Sequence, residues 1–215
     1  MKKIGIIGSG VVGKTLGTGF VKQGYQVMLG TRDATKLNEW KITAGSDGAV
    51  GTLQETCKFA DTLVLAVKGT AAKNVLEMIG RDNLRGKTII DCTNPISDIS
   101  PVNGVINFFT TYNRSLMEEM QTMYPEVNFV KAFNSVGNTM MIHPNFNGQT
   151  PTMFICGNNQ SAKRQVTEIC RELGWESEDM GLVESARAIE CLSMLWMIPA
   201  LRENNWNHAF KLLKK

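Results

Sequence analysis

Short unbroken apolar runs alternate along this chain with longer stretches whose apolar residues recur at helical spacing. The first run, Ile4-Gly5-Ile6-Ile7, enters Gly8-Ser9-Gly10-Val11-Val12-Gly13 and continues into residues 14–22, a stretch long enough for a helix. Tyr25 to Leu29 is the next run. It is followed by Asp33, which reads as the N-cap of a helix from Ala34 to Lys41. Thr52 with Glu55 and Ser115 with Glu118 have capping-box spacing and predict helices reaching about Phe59 and Met123. Between them, Thr62 to Val67 reads as a fully buried strand, Ala71 to Ile79 as a helix and Lys87 to Asp91 as a strand. Strands are expected at Val127 to Phe133 and Thr152 to Cys156. Gly157-Asn158-Asn159 opens a helix to Leu173, and Trp175 begins a short last strand. Val183 to Met197 and Asn204 to Leu213 read as helical. Ser97 to Asn113, with Pro101 and Asn103-Gly104 and little periodicity, reads as a long loop. Its Phe108, Phe109 and Tyr112 would be costly to leave in water.

Strands alternating with helices predict an α/β architecture: a doubly wound, Rossmann-type, mostly parallel sheet with a short helical C-terminal tail. Residues 1–182 form the sheet domain in this reading, and residues 183–215 a helical tail packed on it.

The glycines sharpen the picture. A strand, a Gly-x-Gly-x-x-Gly turn and a helix form the context in which this fingerprint means dinucleotide binding. Gly8 permits the tight turn, Gly10 lets the backbone approach a pyrophosphate, and Gly13 lets helix and strand pack closely. The contacts expected there come from Gly8, Ser9, Gly10, Val11, Val12 and Gly13, with free helix amides facing the negative charge. The second strand indicates which dinucleotide. An NAD site places a carboxylate at that strand end, roughly 20 residues past the glycines; here the position is Gly30. Thr31 offers a hydroxyl, Arg32 a planar cation and Lys36 a second cation, all suited to a 2′-phosphate. NADP(H) is therefore the expected cofactor, with Asp33 the one residue that argues for NAD.

Composition and charge exclude other classes. The chain has 215 residues with 23 basic against 20 acidic side chains, too mild a balance to imply nucleic acid. No apolar stretch reaches the ~20 residues that span a bilayer; the block Leu192 to Leu201 is broken by Ser193 and Pro199. A core strand begins almost at once, leaving no room for a signal peptide. Five cysteines without a Cys-x-x-Cys read as buried hydrophobes of a reducing cytoplasm. With His143 and His208 the only histidines, no metal site is expected.

Ligands of open α/β sheets collect beyond the carboxyl ends of the strands. Besides the glycine turn, those ends are Ala66-Val67-Lys68, Cys92-Thr93-Asn94-Pro95 and Lys131-Ala132-Phe133-Asn134. From them Ala66, Val67, Lys68, Asn94, Pro95, Ala132 and Asn134 are assigned to the cofactor, with turn chemistry the alternative for both asparagines. Lys131 reads as a proton donor or a phosphate counter-charge, and His143, ahead of Pro144, as a turn residue. No nucleophile arrangement is visible, no carboxylate stands out at the strand ends, and no catalytic side chain is assigned. Direct hydride transfer between two carriers needs none, whereas carbonyl reduction needs a proton donor.

Across nearly its whole length the sequence resembles the coenzyme F(420)-dependent NADP oxidoreductase-like family. The resemblance rests on Gly8 to Gly13, Gly30-Thr-Arg-Asp33 with Lys36, Asp91-Cys-Thr-Asn-Pro95, Ser115-Leu-Met-Glu118 and Val130-Lys-Ala-Phe-Asn134. It is similar also to the cytosolic NADPH domain of membrane ferric and cupric reductases. The resemblance implies NADPH held by Ser9 to Val12, with Thr31, Arg32 and Lys36 on the 2′-phosphate. It also implies a flavin-like or deazaflavin acceptor against the nicotinamide, and a homodimer. The segment Asn134-Ser-Val-Gly-Asn138 departs from the archaeal deazaflavin enzymes, so acceptor identity does not carry over. The tail from Trp196 to Phe210 would cover the acceptor or the dimer seam, or simply cap the core. Hydride transfer between NADPH and such an acceptor is the leading expectation. The alternatives are a reductase of a small carbonyl or imine, and an NADP-sensing module without catalysis.

Overall fold

The computed structural model describes residues 2–215. Six parallel strands form the main sheet in the order β3-β2-β1-β4-β5-β6. They are β1 (Lys3–Ile7), β2 (Gln26–Gly30), β3 (Gly48–Gly51), β4 (Thr62–Leu65), β5 (Thr88–Asp91) and β6 (Asn128–Lys131). The order reverses between β1 and β4, which fixes the crevice where ligands of such sheets collect. A second parallel pair, β7 (Thr152–Ile155) with β8 (Glu176–Asp179), meets the main sheet through one bridge, Lys131 N to Cys156 O at 3.0 Å.

Alternation along the strands splits the core in two. Ile4, Ile6, Val27, Leu29, Val64, Ile90 and Val130 face α1 (Val11–Lys22), α2 (Asn38–Ala44) and α7 (Gln160–Glu172). Ile7, Leu63, Leu65, Ile89 and Phe129 face α3 (Leu53–Phe59), α4 (Gly69–Ile79), α5 (Arg81–Leu84), α6 (Leu116–Met123) and α8 (Ala186–Glu203). Both faces are buried, and each fully buried Leu or Ile contributes roughly 1.5–3 kcal/mol. This is the doubly wound sheet expected from the alternation.

The local signals were good at starting helices. Both capping boxes are closed: Thr52 and Ser115 accept from the amides of Glu55 and Glu118, whose carboxylates accept from the cap amides in return. Three expectations are corrected. Asp33 does cap, but one 3-10 turn (Ala34–Leu37) precedes α2, so the expected helix from Ala34 to Lys41 is split and shifted. The helix expected from Val183 to Met197 begins with a 3-10 turn at Val183–Ser185 and runs through Pro199 to Glu203. The helix expected from Asn204 to Leu213 does not form. Asn204 turns left-handed (φ +51°), and the chain lies irregularly against β7, with Thr152 N donating to Phe210 O at 2.9 Å. That strand edge offers an unpaired donor that a helix could not meet. The long loop is confirmed. Its ends pair as a short antiparallel ribbon, Ser97 N to Asn107 O at 2.7 Å and Phe109 N to Pro95 O at 2.9 Å.

Candidate functional site

Two of the fingerprint glycines are fixed by packing and one by what is absent around it. Gly8 has φ +132°, and a Cβ there would lie 2.2 Å from Ala66 O; a Cβ on Gly13 would lie 2.3 Å from Gly8 O. Around Gly10 a Cβ would meet nothing within 4 Å. Gly10 is the N-cap of α1, with no side-chain cap and no acidic residue in the first turn. The leading amides of that helix, from Val11, Val12 and Gly13, are therefore free for an anion above Gly10.

A cavity of about 340 Å³ opens over this turn. Gly8, Ser9 and Gly10 meet Gly30, Thr31, Arg32 and Lys36 from the end of β2, and Ala66, Val67 and Lys68 from the end of β4. The structure thus gathers most of the sequence-assigned residues into one cleft. It adds Leu53 and Val75, apolar walls that no motif announced. Gly30 admits no side chain, since a Cβ would lie 2.8 Å from Thr56 Oγ1. Thr31 Oγ1 donates to Ser9 Oγ at 3.2 Å and so ties the β2 turn to the glycine turn. The Asp33 carboxylate turns back on its own loop. It accepts from Thr35 N at 3.1 Å and Thr35 Oγ1 at 2.6 Å, with Lys36 Nζ at 3.7 Å. Hydrogen bonding from Thr35, with Lys36 adding to it, holds this carboxyl below its ordinary range. Arg32 is exposed, and among the described residues no carboxylate pairs with it. The cleft edge therefore presents an unspent guanidinium, while the one nearby carboxylate is engaged.

A second cavity of about 330 Å³ continues along the strand ends and shares Val67 and Lys68 with the first. Cys92, Thr93, Asn94, Ile96 and Ser97 line its far side. Asn94 Nδ2 donates to Asn134 O at 2.7 Å, and Asn134 Nδ2 donates to Asn94 Oδ1 at 2.9 Å and to Ile189 O at 2.9 Å. Asn94 reaches the cavity wall; Asn134, buried behind it, holds it in place. Pro95 and Ala132 are buried, and Ala132 belongs to the sheet core, so neither side chain lines the two cavities. Burial, with the Asp91 charge adding to it, pushes the Cys92 thiol well above its usual range and leaves it inert.

Lys131 departs from expectation most. Its ammonium is fully buried, 2.6 Å from Asp91 Oδ2, 2.9 Å from Glu190 Oε1 and 2.9 Å from the carbonyl of Thr93, to which it donates. Asp91 Oδ1 accepts from Thr93 N and Thr93 Oγ1. Glu190 accepts from Leu116 N at 2.9 Å and Met117 N at 3.1 Å, capping α6 from a distance. Burial alone would drive the Lys131 pKa down; Asp91 and Glu190 outweigh it and hold the ammonium protonated well above the usual lysine range. A fully buried cation so held neither donates a proton to a substrate nor reaches a phosphate. Both sequence readings of Lys131 are overturned, as is the absence of a strongly placed carboxylate: Asp91 ends β5, and its pairing was the missed feature. His143 is an exposed left-handed turn residue (φ +45°) beside Gln23, outside these cavities.

The switch-point cleft, the glycine turn and the free helix amides define a dinucleotide-binding protein of the Rossmann class. Within it, residues 3–95 match the family described as NADP oxidoreductase, coenzyme F420-dependent. The F420-dependent NADP reductase of Methanothermobacter thermautotrophicus is 26% identical over 222 residues, covering 98% of this chain and 94% of that protein. The rat metalloreductase STEAP3 is 28% identical over 206 residues, covering 93% of this chain. The chain spans only 38% of that longer protein. Among solved structures, a presumptive F420-dependent NADP reductase from Arthrobacter sp. FB24 superposes with a TM-score of 0.91 at 26% identity, each chain covered completely. The resemblance read from the sequence holds: the family model over residues 3–95, the archaeal relative and the Arthrobacter structure all carry the description of an F420-dependent NADP reductase or oxidoreductase. Among the described residues no helix is long and apolar enough to cross a membrane.

Proposed function

We propose that this protein transfers hydride between NADPH and a flavin-like or deazaflavin acceptor. The observation that carries the reading is the pair of joined cavities at the sheet switch point, one edged by Arg32, Thr31 and Lys36, the other by Asn94. In this reading the free amides of α1 and the open space over Gly10 take the pyrophosphate. Thr31, Arg32 and Lys36 take the 2′-phosphate, and Leu53 and Val75 supply apolar wall. Asn94, locked by Asn134, orients the nicotinamide carboxamide. When bound, the nicotinamide supplies the hydride. The chain's own task is then to align donor and acceptor and to keep water from between them. Among the described residues, no histidine, tyrosine or glutamate lines either cavity, which supports direct transfer over carbonyl reduction.

A homodimer belongs to this reading, supported by exposed apolar side chains on the long loop and α8, among them Val102, Tyr112 and Leu195. A reducing, cytoplasmic setting belongs to it too, supported by five cysteines left unpaired. The reading is tested by single-turnover mixing of NADPH-loaded protein with FMN or a deazaflavin, using NADPH deuterated at nicotinamide C4. A primary isotope effect on acceptor reduction supports it. Reduction of a small imine or carbonyl, with no flavin or deazaflavin turnover, contradicts it.

A further inference from the structure

Three buried charges, Asp91, Lys131 and Glu190, stand behind the wall of the Asn94 cavity. Two of them take up every polar group of Thr93, which lines that cavity beside Asn94. Thr93 N and Thr93 Oγ1 donate to Asp91 Oδ1 at 2.9 and 2.7 Å, and the Thr93 carbonyl accepts from Lys131 Nζ at 2.9 Å. Asn94 itself is packed tightly: a Cβ on Gly69 would lie 1.9 Å from its backbone oxygen. Its side chain gives one amide hydrogen to Asn134 O and accepts from Asn134 Nδ2. One N–H and one lone pair are left, the complement of a primary carboxamide.

The far end of these contacts lies on α8. Glu190 Oε1 is 2.9 Å from Lys131 Nζ, and the same carboxylate accepts from the α6 amides of Leu116 and Met117. The preceding residue, Ile189, accepts from Asn134 Nδ2 at 2.9 Å. Two consecutive residues of α8 therefore brace Asn94 from both sides, Glu190 through Lys131 and Thr93, Ile189 through Asn134. Two carboxylates share one ammonium here, and the positive end of the α6 dipole offsets the excess. Apolar replacement of such buried clusters is often neutral or stabilising, so stability alone is a weak reason for this one.

We propose that Glu190 is a positioning residue for the nicotinamide: by holding Lys131 on the Thr93 carbonyl, it sets the aim of the Asn94 amide. Glu190 lines neither the glycine-turn cavity nor the Asn94 cavity, so it acts only through Lys131 and Thr93. This inference rests on the reading of the Asn94 cavity as the nicotinamide subsite.

NADPH and 2′-phospho-ADP-ribose isolate the point, because the second lacks the nicotinamide and keeps both phosphate sites. Glu190→Gln retains an acceptor for the α6 amides and removes the charge beside Lys131. Calorimetric titration should show NADPH about fivefold weaker in this variant, as one misaligned hydrogen bond implies, with 2′-phospho-ADP-ribose unchanged. Thr93→Val removes only the hydroxyl bond to Asp91 and should show the same selective loss, which keeps the test open if Glu190→Gln does not fold. Equal loss of both ligands would mark Glu190 as merely structural and overturn the inference. So would an unchanged ratio of the two affinities in Glu190→Gln, or in Thr93→Val if that variant alone folds, while Asn94→Ala alters it. An unchanged ratio in Asn94→Ala itself would instead refute the nicotinamide reading, so the two failures are distinguishable.

Discussion

Asn94 and Asn134 hold each other in place: the Asn94 amide donates to the Asn134 carbonyl at 2.7 Å, and the Asn134 amide donates to Asn94 Oδ1 at 2.9 Å. The same Asn134 amide reaches Ile189 O on α8, so one buried side chain joins the β5 end, the β6 end and the C-terminal helix. Asn134→Ala should release Asn94 and leave the Ile189 carbonyl without its donor. A loss of about 1–3 kcal/mol in unfolding free energy is expected for such buried groups. NADPH affinity should fall with it, and Asn94→Ala should lower NADPH affinity with a smaller loss of stability. Urea unfolding beside calorimetric binding checks both; unchanged NADPH affinity in the two variants would remove the asparagines from the site.

The glycines of the turn should separate cleanly by variant. Gly10→Val faces open space and a φ of −76°, so it should fold normally and lose dinucleotide binding. Gly8→Ala combines a left-handed φ with a Cβ 2.2 Å from Ala66 O, so it should unfold or lose several kcal/mol of stability. Circular dichroism and NADPH titration of both variants distinguish a binding role from a folding role.

The Lys131 cluster predicts a stability effect, not a chemical one. Lys131→Met leaves Asp91 and Glu190 buried without their cation, and breaking such a pair costs roughly 3–5 kcal/mol. The pH sign follows from the raised folded-state pKa. The contribution is fully present below the ordinary lysine value, near 10.5, and is lost as pH rises toward the folded value. Wild-type protein should therefore lose stability in that alkaline window, and Lys131→Met should show less of this dependence. His143→Ala should leave hydride transfer intact. A drop of ~10³-fold in the chemical step of either variant, with the fold and NADPH affinity kept, would instead mark a general acid.

The tail should matter through packing. Trp196 stacks on His208 at 5.0 Å and lies 5.7 Å from Trp206, while Lys211 and Lys214 pair with Glu176 and Glu178 of β8. Ending the chain after Glu203 exposes Trp196 and the β7 edge, and should lower the thermal midpoint by several degrees. An unchanged midpoint would show that the strap is dispensable.

What the sequence disclosed follows the range of the interactions concerned. The strands β1 and β4 are unbroken apolar runs, and the two capping boxes are encoded within four residues, so their positions were legible. The strand β3, Gly48–Gly51, carries no such run and exists because it pairs with β2. The cleft was legible at Gly8 to Gly13 and Gly30 to Lys36 because one turn and one strand end supply it. Glu190 was not, since its partners Leu116 and Met117 lie 74 and 73 residues away and only the packing of α8 on α6 brings them together. Apolar spacing from Asn204 to Leu213 suggested a helix, but the unpaired edge of β7 claimed that backbone instead.

The cofactor assignment rests on an unpaired Arg32 beside a Gly30 that admits no carboxylate. Calorimetric titration of NADPH and NADH into wild type and Arg32→Ala tests it most directly. One lost charge-assisted contact is worth about 1.5–3 kcal/mol, so Arg32→Ala should weaken NADPH by about tenfold or more and barely change NADH. Equal losses for both cofactors, or wild-type protein that prefers NADH, would contradict the account.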